Sequence, residues 1–385
     1  MKFPFNPRAP AFNAQAIKDT IQRALSAAGL NTTSGPMRDV TETIRRALSP
    51  GATPATARAP AAPQAAPAPA PSAHEAPRAP EAPQAPEAPH APPAAAPAGF
   101  TAHSFSNAAG SRAYKLFVPA RLETLPPMLV MLHGCTQSAD DFAAGTRKNQ
   151  LAEAQGILVV YPEQAAGANV SKCWNWFQPQ DQVRSGAEPG VIAGIVQEVA
   201  ARHGADPRRI FVVGLSAGAA MAVILGQTHP ELFAAVGAHS GLPYGSAHDI
   251  PSALAVMKGG RRVTVASPLA QVVPTIVFHG DHDHTVQHRN GSLIVQQAID
   301  AFAAKAAAPL EATTDRGTSP GGRSYSRTVH ADAQGQACIE SWTVHGAGHA
   351  WSGGSASGSY TDGAGPDASA EMLRFFLARP RGGAA

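Results

Sequence analysis

Six short runs, apolar along most or all of their length, recur between Met128 and Val344: Met128–Leu132, Ile157–Tyr161, Ile210–Val213, Phe233–Gly237, Thr275–Phe278 and Ile339–Val344. A strand with one solvated face alternates apolar and polar side chains. A strand covered on both faces does not, so unbroken runs predict a mostly parallel sheet with helices on both faces. Helical patterns fill the intervals, at Val191–Arg202, Ala217–Thr228, Leu293–Ala306 and Ala368–Ala378. Ser104–Pro119 predicts leading antiparallel strands. The expected fold class is α/β, an open sheet with one core over residues 100–380. Such sheets gather their functional groups beyond the carboxyl ends of the strands.

The N-terminal quarter lacks this pattern. From Gly51 to Phe100, 35 of 50 residues are Ala or Pro, which leaves too few large apolar side chains to offset the entropy of ordering. Residues 51–99 therefore predict a disordered Ala/Pro-rich linker with polyproline II character. Before it, Thr20-Ile21-Gln22-Arg23-Ala24-Leu25-Ser26 is echoed by Thr43-Ile44-Arg45-Arg46-Ala47-Leu48-Ser49. Ile17, Ile21, Ala24 and Leu25 share one helical face, as do Val40, Ile44, Ala47 and Leu48. Residues 1–50 predict a pair of short amphipathic helices that pack on each other or on the body, or else touch a granule surface.

Thirty Lys and Arg against 27 Asp and Glu leave a net charge of +3 with no block of like charge. A nucleic-acid partner is not expected. No apolar run is long enough to span a membrane, and Met1–Asn13 lacks the apolar centre of a cleaved signal peptide. Three cysteines permit at most one pair and one over. Cys135 and Cys173 lie beside two strand ends, where geometry decides whether they bridge. Cys338 is expected as a buried thiol.

The motif richest in chemistry is Gly214-Leu215-Ser216-Ala217-Gly218, after a strand and before a helix. Glycines two residues either side of a serine allow a sharp turn that lifts its hydroxyl clear of the backbone, the context of a nucleophile elbow. A serine needs a base, and the chain order of such sites is serine, acid, histidine. His349, on the Gly-rich turn after the last strand, is the expected base; His345, at the strand end, is expected to be structural. The acid should follow the strand before, where Asp281 and Asp283 compete. His279, Asp281, His282, Asp283, His284 and His288 crowd together there, but in no zinc-binding frame, so no metal is expected. An oxyanion needs two backbone donors. One is the amide of Ala217; the other belongs to the turn His133-Gly134-Cys135-Thr136. Trp176 and Trp351 flank motif positions and are expected to line an apolar slot beside the site. The interval between the strands near Val236 and Thr275 is short for a large lid.

Together these residues resemble the polyhydroxybutyrate (PHB) depolymerase family of α/β-hydrolase esterases. The resemblance runs from about Ala102 to Leu377. It is carried by Leu132-His133-Gly134-Cys135-Thr136-Gln137, Val160-Tyr161-Pro162-Glu163-Gln164, Cys173-Trp174-Asn175-Trp176-Phe177, the stretch from Gly214 to Met221, and Gly348-His349-Ala350-Trp351-Ser352-Gly353-Gly354. It implies Asp283 as the acid and the amides of Cys135 and Ala217 as the oxyanion donors. It also implies a cofactor-free serine esterase acting on poly- or oligo-hydroxyalkanoates, with feruloyl or acetyl-xylan esters as the alternative substrates. A granule-binding protein that keeps the fold is the alternative of another class. The resemblance implies an extracellular setting; a cytoplasmic or non-classically exported chain is the alternative.

Overall fold

The computed structural model describes residues 99–259, 272–305 and 309–381. The expected helix pair of residues 1–50, its granule contact and nearly all of the linker at 51–99 lie outside the described residues. The strands are β1 (Gly99–Asn107), β2 (Gly110–Val118), β3 (Met128–Leu132), β4 (Leu158–Pro162), β5 (Ile210–Leu215), β6 (Ala235–His239), β7 (Thr275–Gly280), β8 (Glu311–Thr318), β9 (Ser324–Ala331), β10 (Ala337–Val344), β11 (Trp351–Ser352) and β12 (Thr361–Asp362). The helices are α1 (Ala139–Thr146), α2 (Lys148–Gln155), α3 (Ala187–His203), α4 (Ala217–Thr228), α5 (Ile250–Met257), α6 (Arg289–Lys305) and α7 (Ala368–Leu377). A ten-stranded sheet runs in the order β1-β2-β4-β3-β5-β6-β7-β10-β9-β8. From β4 to β10 every neighbouring pair is parallel. Antiparallel strands close both edges, β1 and β2 on one side and β9 and β8 on the other.

The central strands are buried throughout, as their unbroken apolar runs require. Successive side chains point to opposite faces. Met128, Val130 and Leu132 of β3 therefore join a cluster with α3, α4 and α6, while Leu129 and Met131 join another with α1, α2 and α7. The sheet thus splits the expected single core into two apolar layers. Parallel connections bring the carboxyl ends of β3, β5, β7 and β10 to one rim, and the motif residues emerge there.

Candidate active site

Ser216 leaves β5 with φ 57° and ψ −119° and opens α4. A Cβ at Gly214 would run into the backbone of Gly218, and one at Gly218 into the Leu132 carbonyl of β3. The two glycines are therefore what lets the turn close. Ser216 is tied down by its own N–H, which donates to the His239 carbonyl at 2.9 Å, and by its carbonyl, which accepts from Ala220 N at 3.0 Å. Ala217, as the first helical residue, has an amide without a helical acceptor.

Asp283 and His349 meet across 66 residues of sequence, with His349 Nδ1 donating to Asp283 Oδ2 at 2.7 Å. The other carboxylate oxygen accepts from Thr285 N at 2.9 Å and Val286 N at 2.8 Å. His279 Nε2 donates to the Val286 carbonyl at 2.8 Å and lies 3.3 Å from Asp283 Oδ2. Burial by itself would raise the Asp283 carboxyl; the hydrogen bonds from His279 and His349 outweigh it and hold the group well below the usual carboxylate range. With Nδ1–H committed to that carboxylate, His349 keeps the lone pair of Nε2 free to take a proton. Asp281 belongs to a separate pair, with His345. The choice between the two aspartates, open on local chemistry, thus has a geometric answer: Asp283 is the partner of His349.

Ser216 and His349 line one cavity of about 220 Å³, together with Gly134, Cys135, Leu215 and Tyr360. Cys135 is bonded to Cys173, with Cα atoms 4.2 Å apart. The Gly134 amide is occupied by Gln137 Oε1 at 2.9 Å, and Thr136 N donates to the Ser171 carbonyl at 2.7 Å. The Cys135 amide between them has no protein acceptor among the described residues. Beneath the turn, Trp174 Nε1 donates to the His133 carbonyl at 3.1 Å, and His133 Nε2 accepts from Gln164 N at 3.1 Å.

The expectation that Trp176 and Trp351 line a slot is corrected by burial. Trp351 is 1% exposed; its Nε1 donates to Ser369 Oγ at 3.0 Å, and its ring packs on His239 and Phe142. Trp176 is 5% exposed and packs edge-on against Phe177. Neither lines the cavity; Met257, Thr285 and Tyr360 do. Thr285 follows the acid in the His279–His288 stretch, whereas Met257 and Tyr360 stand in segments without a motif; Tyr360 is 224 residues from Thr136, whose hydroxyl lies 3.3 Å from its own. Among the described residues, no three His, Cys, Asp or Glu side chains cluster to hold a metal ion. His279 turns inward to Asp283 instead.

A strand-end serine at a strained turn, an Asp-bound histidine and two amides without protein acceptors thus stand at one rim of a sheet with the α/β-hydrolase fold. The solved structure of an acetyl xylan esterase from Aspergillus awamori shares this fold, with a TM-score of 0.58 and 20% identity over 72% of this chain and 99% of that one. The family profile described as Esterase PHB depolymerase matches residues 111–315, and the chain belongs to that family. Poly(3-hydroxyalkanoate) depolymerase C of Paucimonas lemoignei is 34% identical over 243 residues, 60% of this chain and 56% of the relative. Feruloyl esterase B of Neurospora crassa is 34% identical over 140 residues, 36% of this chain and 47% of the relative. The chain thus spans about half the length of these curated relatives.

Proposed function

We propose that the chain is a serine esterase that cleaves ester bonds of poly- or oligo-3-hydroxyalkanoates or related short-chain carboxylic esters. The observation that carries this is the Asp283–His349 hydrogen bond at the wall of the cavity that Ser216 also lines. Ser216 Oγ attacks the ester carbonyl while His349 Nε2 takes its proton. The amides of Cys135 and Ala217 hold the negative charge on the former carbonyl oxygen; losing one such donor costs about 2.7–4 kcal/mol of transition-state stabilisation. His349 then gives the proton to the leaving alcohol, and water, deprotonated by the same imidazole, cleaves the acyl-enzyme. Asp283 stays ionised throughout and keeps the imidazole in the tautomer the reaction needs. No step calls for a cofactor.

Leu215, Met257 and Tyr360 give the cavity apolar walls, and its volume of about 220 Å³ suits a short acyl unit. The polymer reading is supported by the likeness to depolymerase C; the likeness to a feruloyl esterase keeps plant-polysaccharide esters as the second reading. The Cys135–Cys173 disulfide supports a working place where thiols are oxidised, such as outside the cytoplasm. Turnover of 3-hydroxybutyrate oligomers, methyl ferulate and p-nitrophenyl butyrate separates the substrate readings. The highest kcat/KM is expected on the hydroxybutyrate oligomers, and a preference for methyl ferulate would transfer the chain to the second reading.

A further inference from the structure

Two Asp–His pairs leave the same two strand ends. Asp283 and His349 turn to the cavity of Ser216. Asp281 and His345, two and four residues earlier, form the second pair, with His345 Nδ1 2.8 Å from Asp281 Oδ2. The other carboxylate oxygen accepts from Gly346 N at 2.7 Å. Burial would raise the Asp281 carboxyl, but the bonds from His345 and Gly346 hold it below its ordinary value. A carboxylate on Nδ1 fixes the imidazole proton there and leaves Nε2 as the acceptor. The group that meets Nε2 is Ser326 Oγ, at 2.9 Å, from the neighbouring strand β9. Serine, histidine and carboxylate thus stand in the same hydrogen-bonded order as in a catalytic relay.

This relay faces an opening. Ser326 and His345 line a cavity of about 510 Å³ with Tyr325 and Arg316. Arg316 stands directly opposite Ser326 in the β8–β9 ladder, and its guanidinium has no ion-pair partner among the described residues. The His345 side chain is 39% exposed. A purely structural Asp–His pair needs neither a hydroxyl on the far nitrogen nor a cavity beside that hydroxyl. We propose that Ser326, His345 and Asp281 form a second nucleophilic site that accepts acyl groups from small, short-chain esters. Ser326 Oγ bonds to the carbonyl carbon and His345 Nε2 takes the hydroxyl proton. The charge on the carbonyl oxygen faces Arg316, the bond to the leaving oxygen breaks, and His345 returns the proton to the departing alcohol. Ser326 lies in a regular ladder and not at an elbow, so this site reacts more slowly than one with two free backbone amides.

The test does not depend on the role of Ser216. The full-length chain and its Ser216→Ala variant are treated with a fluorophosphonate, digested and mapped by mass spectrometry. In the labelling step the Ser326 Oγ–P bond forms, the P–F bond breaks, fluoride leaves and the proton passes to His345. An adduct on the Ser326 peptide is expected in both proteins. Its rate of formation is expected to fall about 10²-fold or more in His345→Gln, with labelling of Ser216 unchanged as the check of folding. No adduct at Ser326 in Ser216→Ala, or equal labelling of Ser326 in His345→Gln, would overturn the proposal. Labelling at Ser326 with none at Ser216 would support this site and count against the reading of the first.

Discussion

Ser216 occupies a backbone region that costs a residue other than glycine about 1–3 kcal/mol, and its neighbours are arranged to hold it there. One of them, His239, is fully enclosed below the site, where its Nε2 accepts from Ser352 N at 2.9 Å. Burial pushes His239 down to about 3 from an ordinary 6.5, with the His279 and His349 imidazoles adding to the effect. Between those two values the unfolded chain binds a proton that the folded chain refuses, so stability falls as pH drops through that window and is fully kept above it. Urea unfolding at pH about 4 and about 7 is expected to show a smaller difference in His239→Gln than in the wild type, because an amide oxygen still accepts from Ser352 without titrating. Trp351 makes a matching case for packing. Trp351→Phe loses the bond to Ser369 and some volume, and is expected to cost about 1–3 kcal/mol in denaturant unfolding. KM for a soluble ester is expected to stay unchanged, since the ring does not reach the cavity.

The turn after β3 is a set of donors in which Gly134 and Thr136 are occupied and Cys135 is left free, and the disulfide to Cys173 anchors it to the loop that carries Trp174. Closing a loop with a sequence separation of 38 residues stabilises the fold by about 2–4 kcal/mol through the unfolded state. Cys135→Ala with Cys173→Ala is expected to lower the melting temperature and, by loosening an oxyanion donor, to lower kcat more than it raises KM. The parallel strands and the helices α3, α4, α6 and α7 were legible in the sequence because burial on both faces, or on one stripe, writes its period into the side chains. Helix α4 falls on its predicted span, while β6 starts two residues later than its Ala-rich run suggests. The hairpin β8–β9 was not legible. Its edge strand β8 is exposed along nearly its whole length, so Glu311-Ala312-Thr313-Thr314-Asp315-Arg316 carries no apolar period to read. Tyr360 was missed for a related reason: it reaches the cavity by a long loop return, and nothing local marks the destination. Trp351 was misassigned because nearness to a motif in sequence says nothing about which way a ring points.

Over the whole molecule, chemistry concentrates on one rim because a parallel sheet delivers every strand's carboxyl end to the same side. The residues of the proposed site all lie between Gly134 and Tyr360. Removing residues 1–98 is therefore expected to leave kcat/KM on p-nitrophenyl butyrate unchanged; a loss with the sheet still folded would give the N-terminal quarter a part in the site. In the proposed mechanism a hydroxyl, an imidazole and a carboxylate from separate strand ends act as one unit at that rim. Its most direct test is kcat for p-nitrophenyl butyrate in Ser216→Ala beside the wild type. A fall of about 10⁴-fold or more is expected, and turnover within about tenfold of the wild type would mean that the three groups do not act together.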